Sequence, residues 1–354
     1  MKTSMILAMS MLMLNTANAS GLETNSLKTN SVNGQGALLS PQTEPMQAQR
    51  SLPNDPMSQW SYQAQDITET EEVRVSALRS LSASPSQNGL VAVSRGLKDA
   101  SSAIREAAIV GAEPYPLEYR WRLVSPLLSD DSKQVRMTAA ASLLKDRGTL
   151  DAASQQQLID PATELIGHLK EQADDDSRLL LADVYRWTEQ YELAEAQYLQ
   201  SKQAVSNNPQ VWLSLADNYR AQGMDEKAID TLNQAIEALP SNAHFHFAKS
   251  LTLVRLEDKA EAAKESEIAA TLAKTNSYYW YVHGVLQEAF NIDEATTAFE
   301  TAYLISGGPE HLYAVCDIYV RNGNEKTDEC MVELAKIAPS EVIDQLNNKK
   351  AQSL

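Results

Sequence analysis

His244-Phe245-His246 is the stretch whose residue types come nearest to metal chemistry, because imidazole nitrogens are common ligands for zinc and copper. On a helix, residues two apart point about 200° apart, so the two rings diverge rather than share an ion. No cysteine or acidic side chain completes a ligand set at helical spacing, and His168, His283 and His311 are scattered. No metal site is expected, and no cofactor. Cys316 and Cys330 lie seven residues either side of Gly323, a turn between antiparallel helices. That spacing places the sulfurs level, either as a disulfide or as two buried free thiols at small-residue sites. The chain has no C-x-x-C, G-x-S-x-G, Gly-rich phosphate loop or H-E-x-x-H. No residue can therefore be assigned a catalytic role, and the expectation is a protein that is not an enzyme.

The elements that would hold such residues are written in a repeat. Leu181-Ala182-Asp183 with Tyr185 returns 34 residues later as Leu215-Ala216-Asp217 with Tyr219. A 34-residue period is that of the tetratricopeptide repeat, a stackable helix pair. Residues 209–240 resemble its pattern nearly throughout, with Trp212, Leu215, Ala216, Tyr219, Gly223, Ala228, Leu232, Ala235 and Pro240 at the large and small sites. Ala216 and Ala228 stand where paired helices cross, and only a small side chain lets the axes approach to about 8–10 Å. The preceding unit carries Leu181, Ala182, Tyr185, Ala194 and Tyr198. The following one keeps Ala262 and Ala269 in register but has Lys249 and Ser250 at its Leu and small sites. A fourth begins at Trp280, and a fifth reads Val315-Cys316-Asp317-Ile318-Tyr319, then Gly323 and Pro339. About five units are expected over 175–341.

In the tetratricopeptide family the first helix of each pair lines a concave face, which implies a set of groove residues here. The first unit contributes Leu179, Asp183, Arg186 and Trp187, and the second Leu213, Asp217 and Arg220. The third contributes His244, Phe247 and Arg255, the fourth Tyr278, Tyr281 and Glu288, and the fifth Tyr313, Asp317 and Arg321. Aromatics interleaved with charge suit a protein or peptide partner, anchored through area and selected through charge. The alternative is that Asp183–Arg186 and Asp217–Arg220 pair along their own helices at i,i+3. The Lys and Asn pairs with which some family members clamp a C-terminal carboxylate are missing.

A second period precedes the first. Val73-Arg74, Ile104-Arg105 and Val135-Arg136 recur every 31 residues, with Ala77, Ala108 and Ala139 three beyond each Arg, and Asp99 and Asp130 six before theirs. This is similar to HEAT repeats, also stacked helix pairs. The resemblance implies an Asp–Arg ladder, with the aspartate expected to cap the second helix. The alternative is ordinary caps and surface charge.

The fold class expected is all-α, an α-solenoid of HEAT-like helix pairs over 58–147 followed by tetratricopeptide units, with a connecting helix over 148–174 that starts at Asp160-Pro161. Residues 342–354 read as a C-terminal tail. Residues 1–19 read as a secretory signal, with Lys2, an apolar run from Met5 to Leu14 and Ala17-Asn18-Ala19 as cleavage site. The run is too short to span a bilayer, so no membrane insertion is expected, and the destination is periplasmic. Residues 20–57, rich in Ser, Asn, Gln, Thr and Pro, read as a flexible leader. A net charge of −17 argues against nucleic acid as a partner.

Leu215–Gly223 (LADNYRAQG), His244–Arg255 (HFHFAKSLTLVR) and Tyr278–Leu286 (YYWYVHGVL) resemble the C-terminal repeat region of exported bacterial multihaem c-type cytochromes. The likeness runs over roughly 70–340. No C-x-x-C-H is present, so covalent haem and electron transfer do not carry over. The leading expectation is an exported scaffold or adaptor whose groove holds a protein or peptide partner, linked to redox or cytochrome systems. An assembly chaperone for apocytochromes or envelope proteins is the second reading, and an enzyme with a site at the junction of the two repeat stacks the third. Oligomeric state is left open.

Overall fold

A computed structural model describes residues 55–205 and 207–353. The signal-like segment and most of the leader lie outside the described residues. The chain divides into two compact units, the first ending at Ala162 and the second beginning at Thr163. Every regular element among the described residues is helical.

The first unit contains α1 (Pro56–Gln65), α2 (Glu71–Ser80), α3 (Gln87–Gly96), α4 (Ser102–Gly111), α5 (Leu117–Val124), α6 (Lys133–Leu144) and α7 (Ala152–Gln157). Helix α1 starts inside the stretch read as leader. Asp55 accepts the Ser58 N–H at 2.8 Å, and Pro56 stands at the first helical position, where its missing N–H costs nothing. Thr70, Ser86 and Ser101 cap α2, α3 and α4 through their hydroxyls. The helices pack in a stack, α2 on α4 and α4 on α6. Leu78, Leu81, Ile104, Ile109, Leu143 and Leu144 are fully buried between them. Gly111 has a steric reason: a Cβ there would lie 2.6 Å from the Leu78 carbonyl oxygen, so only glycine lets α4 approach α2 so closely.

The 31-residue period is a ladder of ion pairs. Arg74 donates to Asp99 Oδ2 at 2.7 Å, and Arg105 donates to both Asp130 oxygens at 2.8 Å. Arg105 also reaches the Asp99 carbonyl at 2.8 Å, and Arg136 reaches that of Asp130 at 2.7 Å. Each aspartate thus receives one arginine on its carboxylate and the next on its backbone. The expected helix caps are displaced by two residues, since Ser101 and Ser132 hold the cap positions. Asp99 and Asp130 instead accept the N–H of those serines at 2.9 and 2.8 Å, in tight turns leading into the helices. The two-pronged contact from Arg105 holds the Asp130 carboxyl below its ordinary value.

Residues 148–174 do not form one connecting helix. A 3-10 turn at Arg147–Thr149 and α7 precede α8 (Ile159–Lys170). Pro161 explains the break at Leu158: it has no N–H for the Gln157 carbonyl, and its ring would collide with that carbonyl in a continuous helix.

The second unit carries five helix pairs: α9 (Asp175–Trp187) with α10 (Tyr191–Ala204), α11 (Pro209–Ala221) with α12 (Asp225–Ala238), α13 (Ala243–Arg255) with α14 (Lys259–Leu272), α15 (Ser277–Gln287) with α16 (Ile292–Ser306), and α17 (Pro309–Arg321) with α18 (Thr327–Leu334). The stretch read as a tail is helical through Ser353, as α19 (Ser340–Ser353). The second helix of each of the first four pairs packs on the first helix of the next. Ala182, Ala194, Ala228, Ala235, Ala262, Ala269, Ala295 and Ala302 are fully buried at the crossings. Gly223 and Gly323 take positive φ at the turn inside their pairs, and Glu189 and Glu257 hold that conformation at the matching places.

The third pair keeps its register despite Lys249 and Ser250. Buried Glu265 on α14 receives Lys249 Nζ and His246 Nδ1, both at 2.6 Å, so a hydrogen-bonded polar seam replaces the apolar one. Burial alone would raise the Glu265 carboxyl, but His246 and Lys249 outweigh it and hold it below the ordinary range.

Candidate partner-binding groove

The first helices of the five pairs carry the residues expected to line a groove, with Glu288 just past the end of α15, and their starts are fixed by a regular device. Asn208, Asn242 and Asn276, spaced by 34, accept the N–H groups of Gln210, His244 and Tyr278 at 3.0–3.1 Å. Asp174 serves α9, and Pro209 and Pro309 open α11 and α17. The asparagines recur at the same 34-residue spacing as Leu-Ala-Asp, a signal in the sequence that the repeat reading did not use.

The charged groove positions are largely committed to each other. Arg186 lies 3.2 Å from Asp183, and Tyr198 of α10 ties the pair together by donating to Asp183 Oδ1 at 2.6 Å while accepting from Arg186 Nε at 3.1 Å. Arg220 reaches Asp217 at 2.9 Å. Arg255 turns back to Asp225 on α12 at 2.9 Å. Arg321 bridges Glu288 of the fourth pair, at 3.0 Å through Nη2, and Asp317 of its own, at 2.8 Å. Pairing along the helices is therefore what the Asp–Arg spacing delivers. Asp317 is 7% exposed and Tyr281 likewise 7%, the latter between Phe299 and His311, so both sit in the packing rather than open on a surface. Leu179, Leu213 and Trp187 are half-buried, with the Arg186 guanidinium 6.0 Å from the Trp187 ring.

What remains open is aromatic. Phe247 on α13 stacks on Tyr279 of α15 at 4.4 Å and meets Tyr278 edge-on at 5.7 Å. His244 bonds the Tyr279 hydroxyl at 2.7 Å and stays exposed, and Tyr278 is 44% exposed. Tyr279 itself is buried with Ala243, Ala269 and Ala270. His244, Phe247 and Tyr278 thus form a patch whose rings are braced from beneath.

His244 and His246 diverge, the first on this surface and the second buried against Glu265. Among the described residues no three His, Cys, Asp or Glu side chains converge to hold a metal ion. Sequence spacing did not bring out Ser266, His283 and Glu294, which the fold assembles from α14, α15 and α16. His283 Nδ1 is 3.2 Å from Ser266 Oγ, and its Nε2 is 3.4 Å from Glu294. Ser266 is shared between the Ala263 carbonyl at 2.7 Å and His283, and both Ser266 and His283 are buried, so a substrate has no open approach to the hydroxyl. Cys316 and Cys330 are joined in a disulfide, with Cα atoms 5.5 Å apart. On the first unit, an open depression of about 590 Å³ along α2 includes Glu72, Ser76, Arg79 and Ser80, but the Ser80 hydroxyl is given to the Ser76 carbonyl.

The buried imidazoles give the second unit an acid sensitivity. Burial pushes His283 and His311 below the free value of 6.5, against opposing pulls from Glu294 and Glu310. A lowered folded value means the unfolded chain binds more protons, so this stability is full above about pH 6.5 and is lost as pH falls toward the folded values. By pH 5 the loss is at most about 2 kcal/mol per ring, the limit set by distance from the free imidazole. Amide exchange of α15–α17 should quicken between pH 7.5 and 5.0 after correction for intrinsic rates. Unchanged protection would refute it. Glu265, held low, contributes nothing in that window.

Residues 209–242 match the family profile described as tetratricopeptide repeat. Among solved structures, MamA is 21% identical with a TM-score of 0.38, covering 49% of this chain and 97% of that one. A MamA piece from Desulfovibrio magneticus RS-1 is 12% identical, with a TM-score of 0.39 over 46% and 94%. YrrB, described as a TPR protein with an unusual peptide-binding site, is 21% identical with a TM-score of 0.40 over 53% and 97%. No curated protein matches the chain. Among the described residues every regular element is helical, and the chain carries a tetratricopeptide repeat, formed by α11, α12 and the turn that leads out of them.

Proposed function

We propose that this chain is an exported scaffold or adaptor that holds a protein or peptide partner on the first helices of its second unit. The carrying observation is the patch of His244, Phe247 and Tyr278, where solvent-facing aromatic area coincides with neighbours whose charges are already paired. Apolar contact then supplies the affinity, because a partner gains little from ions that must first be taken from each other. Export to the periplasm rests on the signal-like residues 1–19, and the Cys316–Cys330 pairing suits an oxidising compartment. The Arg74–Asp99 and Arg105–Asp130 ladder favours a HEAT-like first unit. The link to redox or cytochrome systems rests on the sequence resemblance alone.

Retrieval of partners from a periplasmic extract tests the reading. His244→Ala, Phe247→Ala and Tyr278→Ala combined should lower recovery at least about tenfold, the scale of losing anchor residues. Leu304→Ser, at an exposed position of α16, should leave recovery unchanged. Equal recovery by the triple variant and the wild type would remove the patch from the interface.

A further inference from the structure

The five pairs end in a helix that lies on the very surface assigned to a partner. Helix α19 packs on α17, and its Leu346 is fully buried, flanked by half-buried Val342, Ile343 and Lys349. These residues follow the i, i+3, i+4 rhythm of one helix face. Lys349 Nζ meets Asp317 Oδ1 at 2.6 Å and the Tyr313 hydroxyl at 3.4 Å, with its charge 5.9 Å from the Tyr313 ring centre. Tyr313 and Asp317 are the fifth and ninth positions of their unit, where the second unit of the series has Leu213 and Asp217. They form a notch for one ammonium: a carboxylate to neutralise it, a ring face to cover it, and Arg321 on the other carboxylate oxygen to keep that group oriented.

Beyond Leu346 the occupant is held by two lysines, Lys349 on Asp317 and Lys350 on the exposed Asp328 of α18. The remainder of α19 is polar, with Asp344, Gln345, Asn347 and Asn348 exposed, and an isolated helix of this length is marginal in water. We propose that the fifth-pair end of this face is a docking site for an amphipathic helix bearing a lysine three residues after a leucine-sized apolar residue, and that α19 is its resident occupant, displaced when a partner helix of that pattern binds. The inference rests on the reading of the first-helix face as the partner surface, and adds the chemistry of the partner. An acidic helix is excluded by Asp317, and a helix lacking the lysine leaves that carboxylate with Arg321 alone.

Two measurements on the full chain test it. In the wild type, amides of α19 should exchange at least about tenfold faster than those of α17, as expected of a detachable helix. Equal protection would make α19 an integral part of the stack and overturn displacement. In the second measurement, Leu346→Asp releases α19, and a fluorescent synthetic peptide of residues 340–354 is added. The peptide should bind this variant more tightly than the wild type, whose own α19 competes, and its Lys349→Glu form should bind at least about tenfold more weakly. Equal binding of the two peptides, or no binding to a variant whose α9–α18 amides stay protected, overturns the proposed recognition. If Leu346→Asp does not fold, exchange in the wild type still decides. The peptide avoids His244, Phe247 and Tyr278, so loss of partner retrieval by that triple variant and failure of peptide binding are separate results.

Discussion

Reducing the Cys316–Cys330 bond is expected to destabilise the α17–α18 pair by about 3 kcal/mol, the chain-entropy value for closing a loop of this size. The two cysteines are 14 residues apart and both are buried, one on each helix of the pair. Position in the stack sharpens the effect. In a repeat array each pair leans on its neighbours, and the last has a full pair on one side only. Helix α18 runs for 8 residues against 14 or 15 in the four second helices before it, so it has less apolar face with which to hold itself. The disulfide supplies what that short helix lacks. Amide exchange with and without a phosphine reductant should show faster opening of α17, α18 and α19, with α9–α12 unaffected. If reduction is complete by mass and the exchange of α18 is unchanged, the bond is not what holds the last pair.

The fold was legible where small and large residues recur in register. Leu181, Ala182, Leu215, Ala216 and Tyr219 are buried as their spacing demands, because helix crossings are selected by side-chain size and size is visible in sequence. The third pair was harder to read, since Lys249 and Ser250 break the pattern and the compensating Glu265 lies on another helix. A residue's partner across a helix pair is set by rotation about the axis as much as by spacing.

The groove charges show the same limit. Asp183, Asp217 and Asp317 hold equivalent positions, yet one is bridged by Tyr198, one pairs with Arg220 along its helix, and one is covered by Lys349 of a segment read as a tail. Such differences come from neighbours that do not repeat. The helix within the tail is silent in sequence for a related reason: α19 buries a single leucine completely, too little for a hydrophobic pattern to announce it.

Asp130→Ala should be the most damaging ladder substitution, destabilising the first unit by about 3 kcal/mol, at the lower end for breaking a buried pair by removing one partner. The Asp130 and Arg105 side chains are 9% and 15% exposed, so little water can replace the contact. Arg105 would keep only the carbonyls of Asp99 and Ala100, and the Ser132 N–H would lose its acceptor. Asp99→Ala should cost less, because Arg74 meets Asp99 through one nitrogen instead of a two-pronged contact and retains the Ala64 carbonyl. The pH dependence separates charge from packing. With its folded value lowered, Asp130 contributes stability that is present above the ordinary carboxylate value of 3.8 and lost as pH falls through the folded one. The gap between wild type and Asp130→Ala, read from amide exchange of α4 and α6, should therefore narrow in acid. A gap that stays constant from pH 7 to well below 3.8 would mean that the aspartate acts through shape and not through its charge.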